Sequence, residues 1–285
     1  MIPFDWVEPA SLKEAVGLLD PEDSTVRPIA GGTALMLMMK TGFFVPSRLV
    51  SLAGIEPAHS AIGLESDGSL KVGAMVSLAQ LERSSEVAAH FPVIKGALRT
   101  LSNIRVRNVA RVAGALAHGD PHMDLPPLFA ALGARISVMG PESTREMPVE
   151  DLYVGYYQTV LKNNELIAGV VIPPLDGART AYIKVTSRAA DDWPSLNIGV
   201  RLEMGDTKTI RGTRVVIGAA AEKVTRLSAT EKLLSGAVVD ETTLERASEC
   251  AAAEAKFVSD AHGSVPYKRE LLRVYLVRAI KEAMA

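Results

Sequence analysis

Hydrophobic and polar positions follow two periods along this chain, helical in some stretches and strand-like in others. Ser11, with Glu14 three residues on, precedes apolar Leu12, Ala15, Val16 and Leu19, which share one helical face. Ser11 is therefore the expected N-cap, with Glu14 as its capping-box partner. A strand at 26–30 stops at Gly31-Gly32. Thr33 is placed to cap a helix over 34–40, which Thr41-Gly42 ends, and a strand at 48–52 completes a β-α-β start. Two apolar stretches within 62–74 flank Ser66-Asp67-Gly68 and predict a hairpin. Helices are expected at 76–87 and 91–101, divided near Pro92.

The stretch 104–127 differs in character: it is dense in Asn, Arg, Gly, His, Asp and Pro, with small apolar residues between them. It reads as ordered irregular chain, the usual setting for a site. Strands recur at 134–139, 165–172, 181–185, 195–203 and 210–220, with Gly205-Asp206 placed to turn the last two into a hairpin. Pro173-Pro174 with Asp176-Gly177 marks a domain boundary. Beyond about residue 228 the pattern is helical. The last segment repeats apolar residues at Tyr267, Leu271, Tyr275 and Ala279 and at Leu272, Leu276 and Ile280. Lys268, Arg269, Arg273, Arg278 and Lys281 read as a solvated face. The fold class is α+β.

Composition narrows the function classes. The chain has 285 residues, 48% hydrophobic, enough for more than one core. With 31 Lys and Arg against 33 Asp and Glu it lacks the basic excess of a general nucleic-acid binder. Its single cysteine, Cys250, rules out an internal disulfide and a four-cysteine zinc or iron–sulfur site supplied by this chain. The start at 1–6 has no secretory pattern, and the longest strongly apolar run, 34–39, is far below the ~20 residues of a membrane span. A cytoplasmic protein is expected.

Three segments carry candidate chemistry. Ala30-Gly31-Gly32-Thr33-Ala34 joins a strand to a helix; glycines permit close backbone approach, and free N–H groups there suit a phosphate. From spacing alone the favoured reading is a tight turn without a ligand, since Gly-Gly turns are common. In the second segment Gly114 lies between Ala113 and Ala115, and His118, Asp120, His122 and Asp124 alternate. Prolines at 121, 126 and 127 argue against a regular strand presenting those four to a metal, so loop ordering and helix capping are the roles assigned to Asp120 and Asp124. The third is Lys184 through Asp191. Here Lys184 ends a strand and suits an anionic group, and Arg188 with Asp191 reads as an exposed ion pair worth less than about 1 kcal/mol.

Taken together, these segments resemble the FAD-binding medium subunit of the molybdenum hydroxylases, the carbon monoxide dehydrogenase and xanthine dehydrogenase family. The first FAD motif is matched by Ala30-Gly31-Gly32-Thr33-Ala34 and Pro46-Ser47-Arg48-Leu49-Val50. The second is matched by Ile104-Arg105 through His118-Gly119-Asp120-Pro121 to Asp124-Leu125-Pro126. Lys184 with Arg188, then Ser259-Asp260, Gly263-Ser264 and Tyr267-Lys268-Arg269, extend the likeness to the C-terminus. The resemblance implies two FAD-binding subdomains, 1–56 and 57–175, of vanillyl-alcohol-oxidase/PCMH-like fold. It also implies a C-terminal domain, 176–285, of a three-stranded antiparallel sheet and helices. It implies an oxidoreductase subunit that passes electrons from iron–sulfur clusters through FAD to an external acceptor. The expected partners are a large subunit with a molybdenum–pterin cofactor and a small subunit with two 2Fe–2S clusters, assembled as a dimer of heterotrimers. Residue by residue, it implies that Pro28, Ile29, Ala30, Gly31, Gly32, Thr33 and Ala34 hold the FAD pyrophosphate. Arg111, Val112, Ala113, Gly114 and Ala115 would press from the other subdomain, Asp124 would accept from cofactor donors, Ile167 and Ala168 would line the ring system, and Lys184 would sit at its polar edge. No catalytic residue and no metal ligand is assigned to this chain.

One departure stands out. Where the family has Thr or Ser, a small apolar residue, two glycines and Asn, this chain reads Arg111-Val112-Ala113-Gly114-Ala115. A lost hydroxyl or amide to a charged phosphate oxygen costs about 1.5–3 kcal/mol, tenfold or more in affinity. Arg111 either offsets this by pairing with the pyrophosphate or points to solvent. The alternative expectation is a degenerate scaffold subunit of the same complex that binds FAD weakly or not at all.

Overall fold

The computed structural model describes residues 2–205 and 209–285. Three sheets organise it. In the first, β1 (Asp5–Val7) and β2 (Val26–Ile29) flank the central β3 (Arg48–Ser51), all parallel, joined through α1 (Leu12–Gly17) and α2 (Leu35–Lys40). The apolar face of α1 buries Leu12, Ala15 and Val16 against Val26 and Val50. Ser11 accepts from the Glu14 N–H at 3.0 Å as expected, but the Glu14 carboxylate reaches back to the Ala10 N–H at 2.8 Å, one residue before the cap. Thr33 does not cap α2. Gly32 takes a left-handed φ of +68°, which delays the helix so that Ala34 occupies the cap position, with no side-chain bond.

The second sheet is antiparallel, in the order β4 (Ile62–Leu64), β5 (Leu70–Gly73), β10 (Leu166–Ile172), β6 (Arg135–Met139), β7 (Thr144–Pro148). The 62–74 hairpin forms, with Gly68 at φ +84° and Asp67 accepting from the Ser69 N–H at 2.9 Å. A short pair, β8 (Tyr153–Gly155) and β9 (Gln158–Thr159), lies outside it. The helix expected over 76–87 is broken. Ser84 is extended and its hydroxyl accepts from the Val87 N–H, so α3 (Leu78–Arg83) ends and α4 (Ser85–His90) begins. α5 (Pro92–Leu98) then starts on its proline. The irregular chain expected over 104–127 is largely helical: α6 (Ile104–Val109), α7 (Val112–Ala117) and the start of α8 (Leu125–Leu132). Each is too short for periodicity to reveal. Asn103 starts α6 by accepting from the N–H groups of Arg105 and Val106.

The third sheet has four strands rather than three: β11 (Arg179–Val185), β12 (Leu196–Met204), β13 (Ile210–Gly218) and the two-residue β14 (Thr225–Arg226). The fourth exists because Thr225 and Arg226 pair with Ile217 and Val216 while Glu231 takes both the Val215 N–H and the Arg226 guanidinium. The turn expected at Gly205-Asp206 falls partly on 206–208, outside the described residues. Helices α9 (Ser228–Leu234), α10 (Glu241–Glu254) and α11 (Val265–Met284) cover one face. On α11 the stripe Leu272, Leu276, Ala279 and Ile280 is buried, and so is Lys268, which was expected on the solvated face. Lys268 sits one turn ahead of Leu272 and heads the buried stripe, its ammonium paired inside with Asp260. No described helix is long and apolar enough to cross a membrane.

Candidate functional site

The two glycine-bearing segments meet. β2 ends when the Leu52 N–H takes the Ile29 carbonyl at 2.9 Å, and the chain then turns through Gly31 and Gly32. There it lies against the linker between α6 and α7. A Cβ on Gly31 would stand 2.1 Å from the Val109 carbonyl oxygen and 2.8 Å from the Ala110 Cα, so only glycine fits. The N–H groups of Gly31, Gly32, Thr33 and Ala34 donate to no other group among the described residues. Four free donors on one tight turn, with no carboxylate among them, are suited to an anion. Thr33 is exposed, Pro28, Ala30 and Ala34 are half-buried, and Ile29 is buried beneath with Leu49.

α7 follows that linker, and its backbone is pinned to the turn before α3. The Val112 N–H bonds to the Val76 carbonyl at 3.0 Å and the Ala113 N–H to the Ala74 carbonyl at 3.1 Å. Val112, Ala113 and Ala115 all belong to the core of the second sheet, whereas Gly114 is exposed with nothing within 4 Å of where a Cβ would stand. The methyl groups at 113 and 115 therefore fill the interior and do not line the opening. Arg111 is half-buried: its Nη1 donates to the Met75 carbonyl at 3.1 Å, and its Nε is buried without a partner.

Two predicted residues lie deeper. Asp124, at the start of α8, is buried. Its Oδ1 accepts from the Tyr182 hydroxyl at 2.8 Å and its Oδ2 from the Lys184 ammonium at 3.1 Å. Burial pushes the Asp124 carboxyl up, opposed by Lys184 and Tyr182. The Lys184 side chain is 5% exposed and also donates to the Thr100 carbonyl at 2.9 Å. It turns inward from the edge strand β11, and the anion it meets is Asp124. Tyr182 was missed, although alternation along β11 puts residues 182 and 184 on one face. Ile167 and Ala168 straddle a register shift in β10: Ile167 packs in the core beneath α7, and the Ala168 carbonyl accepts from the Ala74 N–H at 3.3 Å and contacts His59 Nδ1 at 3.1 Å. Arg188 pairs with Asp192 at 2.9 Å rather than with Asp191, out in solvent.

Between α7 and α8 runs the loop 118–124. Burial pulls the His118 imidazole down, and its ring meets Tyr157 edge-on at 5.2 Å. Burial acts to raise Asp120, but bonds from the His122 ring and the Tyr157 hydroxyl outweigh it and hold that carboxyl below its usual range. Asp120, His122 and Asp124 thus engage protein partners. The importance of Val109 and Ala110, which close on Gly31, had no signal in the sequence, because it arises from contact between distant segments.

The donor turn, the absence of a Cβ at 31 and the open face at 114 fit a bound diphosphate ester. The comparisons agree. A family model described as the FAD binding domain in molybdopterin dehydrogenase matches residues 2–175, and one for the CO dehydrogenase flavoprotein C-terminal domain matches 181–283. The carbon monoxide dehydrogenase medium chain of Afipia carboxidovorans is 33% identical over 100% of this chain and 99% of its own length. The nicotine 6-hydroxylase medium subunit of Paenarthrobacter nicotinovorans is 32% identical over 98% and 97%. A solved carbon monoxide dehydrogenase from Hydrogenophaga pseudoflava, one that lacks the Mo-pyranopterin moiety, contains a chain that superposes with a TM-score of 0.94. That chain is 30% identical, with 100% of this chain and 99% of that one covered. Matched over nearly its whole length, the chain belongs to the oxidoreductase family of FAD-binding medium subunits of the molybdenum hydroxylases.

Proposed function

We propose that this chain is the electron-transfer subunit of a cytoplasmic molybdenum hydroxylase. It would take electrons from iron–sulfur clusters on a small partner and deliver them to an external acceptor, beside a large subunit carrying the molybdenum–pterin cofactor, in a dimer of heterotrimers. Bound FAD supplies the redox chemistry; the protein supplies position and electrostatics. The reading divides the chain into subdomains 1–56 and 57–175, of vanillyl-alcohol-oxidase/PCMH-like fold, and a C-terminal domain 176–285.

The observation that carries the reading is the donor turn pressed against the second subdomain. Gly31, Gly32, Thr33 and Ala34 would bind the pyrophosphate through their free N–H groups. Ala30 with Pro28 and Ile29 would support that turn from below, and Gly114 would admit the cofactor closely on the facing wall. Arg111, Val112, Ala113 and Ala115 would hold α7 in place, and Ile167 and Ala168 would carry it from beneath. Asp124 has both oxygens engaged, so with Lys184 it would fix the C-terminal sheet against this wall and offer the cofactor only its remaining lone pairs. The buried methyls at 113 and 115 support the FAD-bearing reading over a scaffold, because this chain's departures from the family at those positions lie in the core. The test is an absorption spectrum of the chain, purified alone and with co-expressed partners, followed by heat release of the cofactor. About one FAD per chain is expected; a colourless protein in both preparations overturns the proposal.

A further inference from the structure

His122 is 6% exposed, and each ring nitrogen faces a carboxylate from a different part of the chain: Nδ1 lies 3.0 Å from Asp120 Oδ1, and Nε2 lies 3.0 Å from Asp260 Oδ2. A neutral imidazole has one donor and one acceptor nitrogen, and an acceptor facing a carboxylate is repelled. Both nitrogens are satisfied only when both carry protons. The charges then close within the cluster: Asp120 and Asp260 are balanced by His122 and by Lys268, whose ammonium reaches Asp260 at 2.5 Å. The remaining bonds tie the same two segments. The Ala219 N–H takes the Pro121 carbonyl at 2.8 Å, and the Ala219 carbonyl takes Lys268 Nζ at 2.8 Å. Ala219 holds a left-handed φ of +63°, a conformation alanine keeps only when its surroundings impose it. The Asp260 Oδ1 accepts from the His262 N–H at 2.8 Å, and the His262 ring lies 4.9 Å from that of His122.

We propose that His122 is a positioning residue for the cofactor cleft, clamping the loop 118–124 to the C-terminal segment 260–268 by donating from both ring nitrogens. This rests on the FAD-binding reading above. The loop leaves α7 at His118 and enters α8 at Asp124, so it sets where the open face at Gly114 stands. Removing the bridge leaves the buried Asp120 and the half-buried Asp260 facing a gap and frees α7 to shift away from the donor turn.

The experiment uses the full chain, with FAD as the probe. In a sample labelled with nitrogen-15 histidine, the His122 ring is expected to show two protonated nitrogens, and that signal is expected to vanish in His122→Ala. A His122 ring with one bare nitrogen overturns the proposal. FAD release is expected to speed by about tenfold or more in His122→Ala and in Asp260→Asn, as for one lost charged hydrogen bond. The double variant is expected to be no worse than the faster single, because both changes open one clamp. His122→Gln keeps a donor and the volume, and should fall between wild type and His122→Ala if the alanine variant folds poorly. A yellow wild type whose variants release FAD at the wild-type rate overturns the clamp alone; a colourless wild type overturns the functional reading and this role with it.

Discussion

Gly31 and Gly114 look alike in the sequence, and the structure predicts opposite outcomes for the same substitution. In Gly31→Ala the new methyl meets the Val109 carbonyl oxygen at 2.1 Å and two further backbone atoms at 2.8 Å, all below any real Cβ contact. These are backbone atoms, and the Ala110 side of the linker is held by a bond from the Leu78 N–H to the Ala110 carbonyl at 3.1 Å, so the segments must part. Overpacking of this kind costs about 1–3 kcal/mol. For a chain of this size each kcal/mol is worth about 2–4 °C in Tm. Parting also moves the four donors away from α7, so FAD affinity is expected to fall along with Tm. Gly114→Ala meets nothing within 4 Å and lies inside a helix, where alanine is favoured over glycine by about 0.5–1 kcal/mol. Its Tm should hold or rise, and on the proposed reading FAD affinity should fall, because the methyl would occupy the face offered to the cofactor. Thermal unfolding of the cofactor-free chains and flavin fluorescence titration separate the two effects. A Gly31→Ala chain with wild-type Tm and wild-type affinity would refute the argument, as would a Gly114→Ala chain that loses Tm.

Two further outcomes follow from the buried ionic groups. Lys184→Met leaves Asp124 buried without its cation and is expected to cost about 3–5 kcal/mol in denaturant unfolding, much of it recovered by adding Asp124→Leu; a loss below about 1 kcal/mol would show that the pair is not closed in solution. The Arg145 bond, then the Lys162 N–H, holds Glu165 below its usual carboxylate value against the pull of burial. A depressed carboxylate contributes stability that is full above the unfolded value near 4.5 and is lost as pH falls through the folded value beneath it. The stability gap between wild type and Glu165→Gln should thus be flat at neutral pH and close in acid; a gap that widened in acid would contradict the assignment.

The local chemistry of the elements was legible where one residue decides it. Ser11 before Leu12, Gly68 in the hairpin and Pro92 at the start of α5 each act on the backbone beside them, so the elements they bound were readable. The run 104–127 was not, because α6 and α7 span six residues each and show no helical period. Lys268 was placed on the wrong face for a related reason. Periodicity assigns a lysine to solvent, and only the position of Asp260 makes its burial affordable.

The candidate site divides along the same line. The sequence by itself determined the donor turn, since Gly31-Gly32 after a strand is a backbone property, and it determined the family through motifs kept in order along the whole chain. What the turn faces, which way Ala113 and Ala115 point, that Lys184 turns inward to Asp124, and that His122 joins Asp120 to Asp260 were decided by tertiary structure. The last joins residues 138 apart. Such contacts depend on how separate sheets and helices stack, and no local propensity encodes the distance between them.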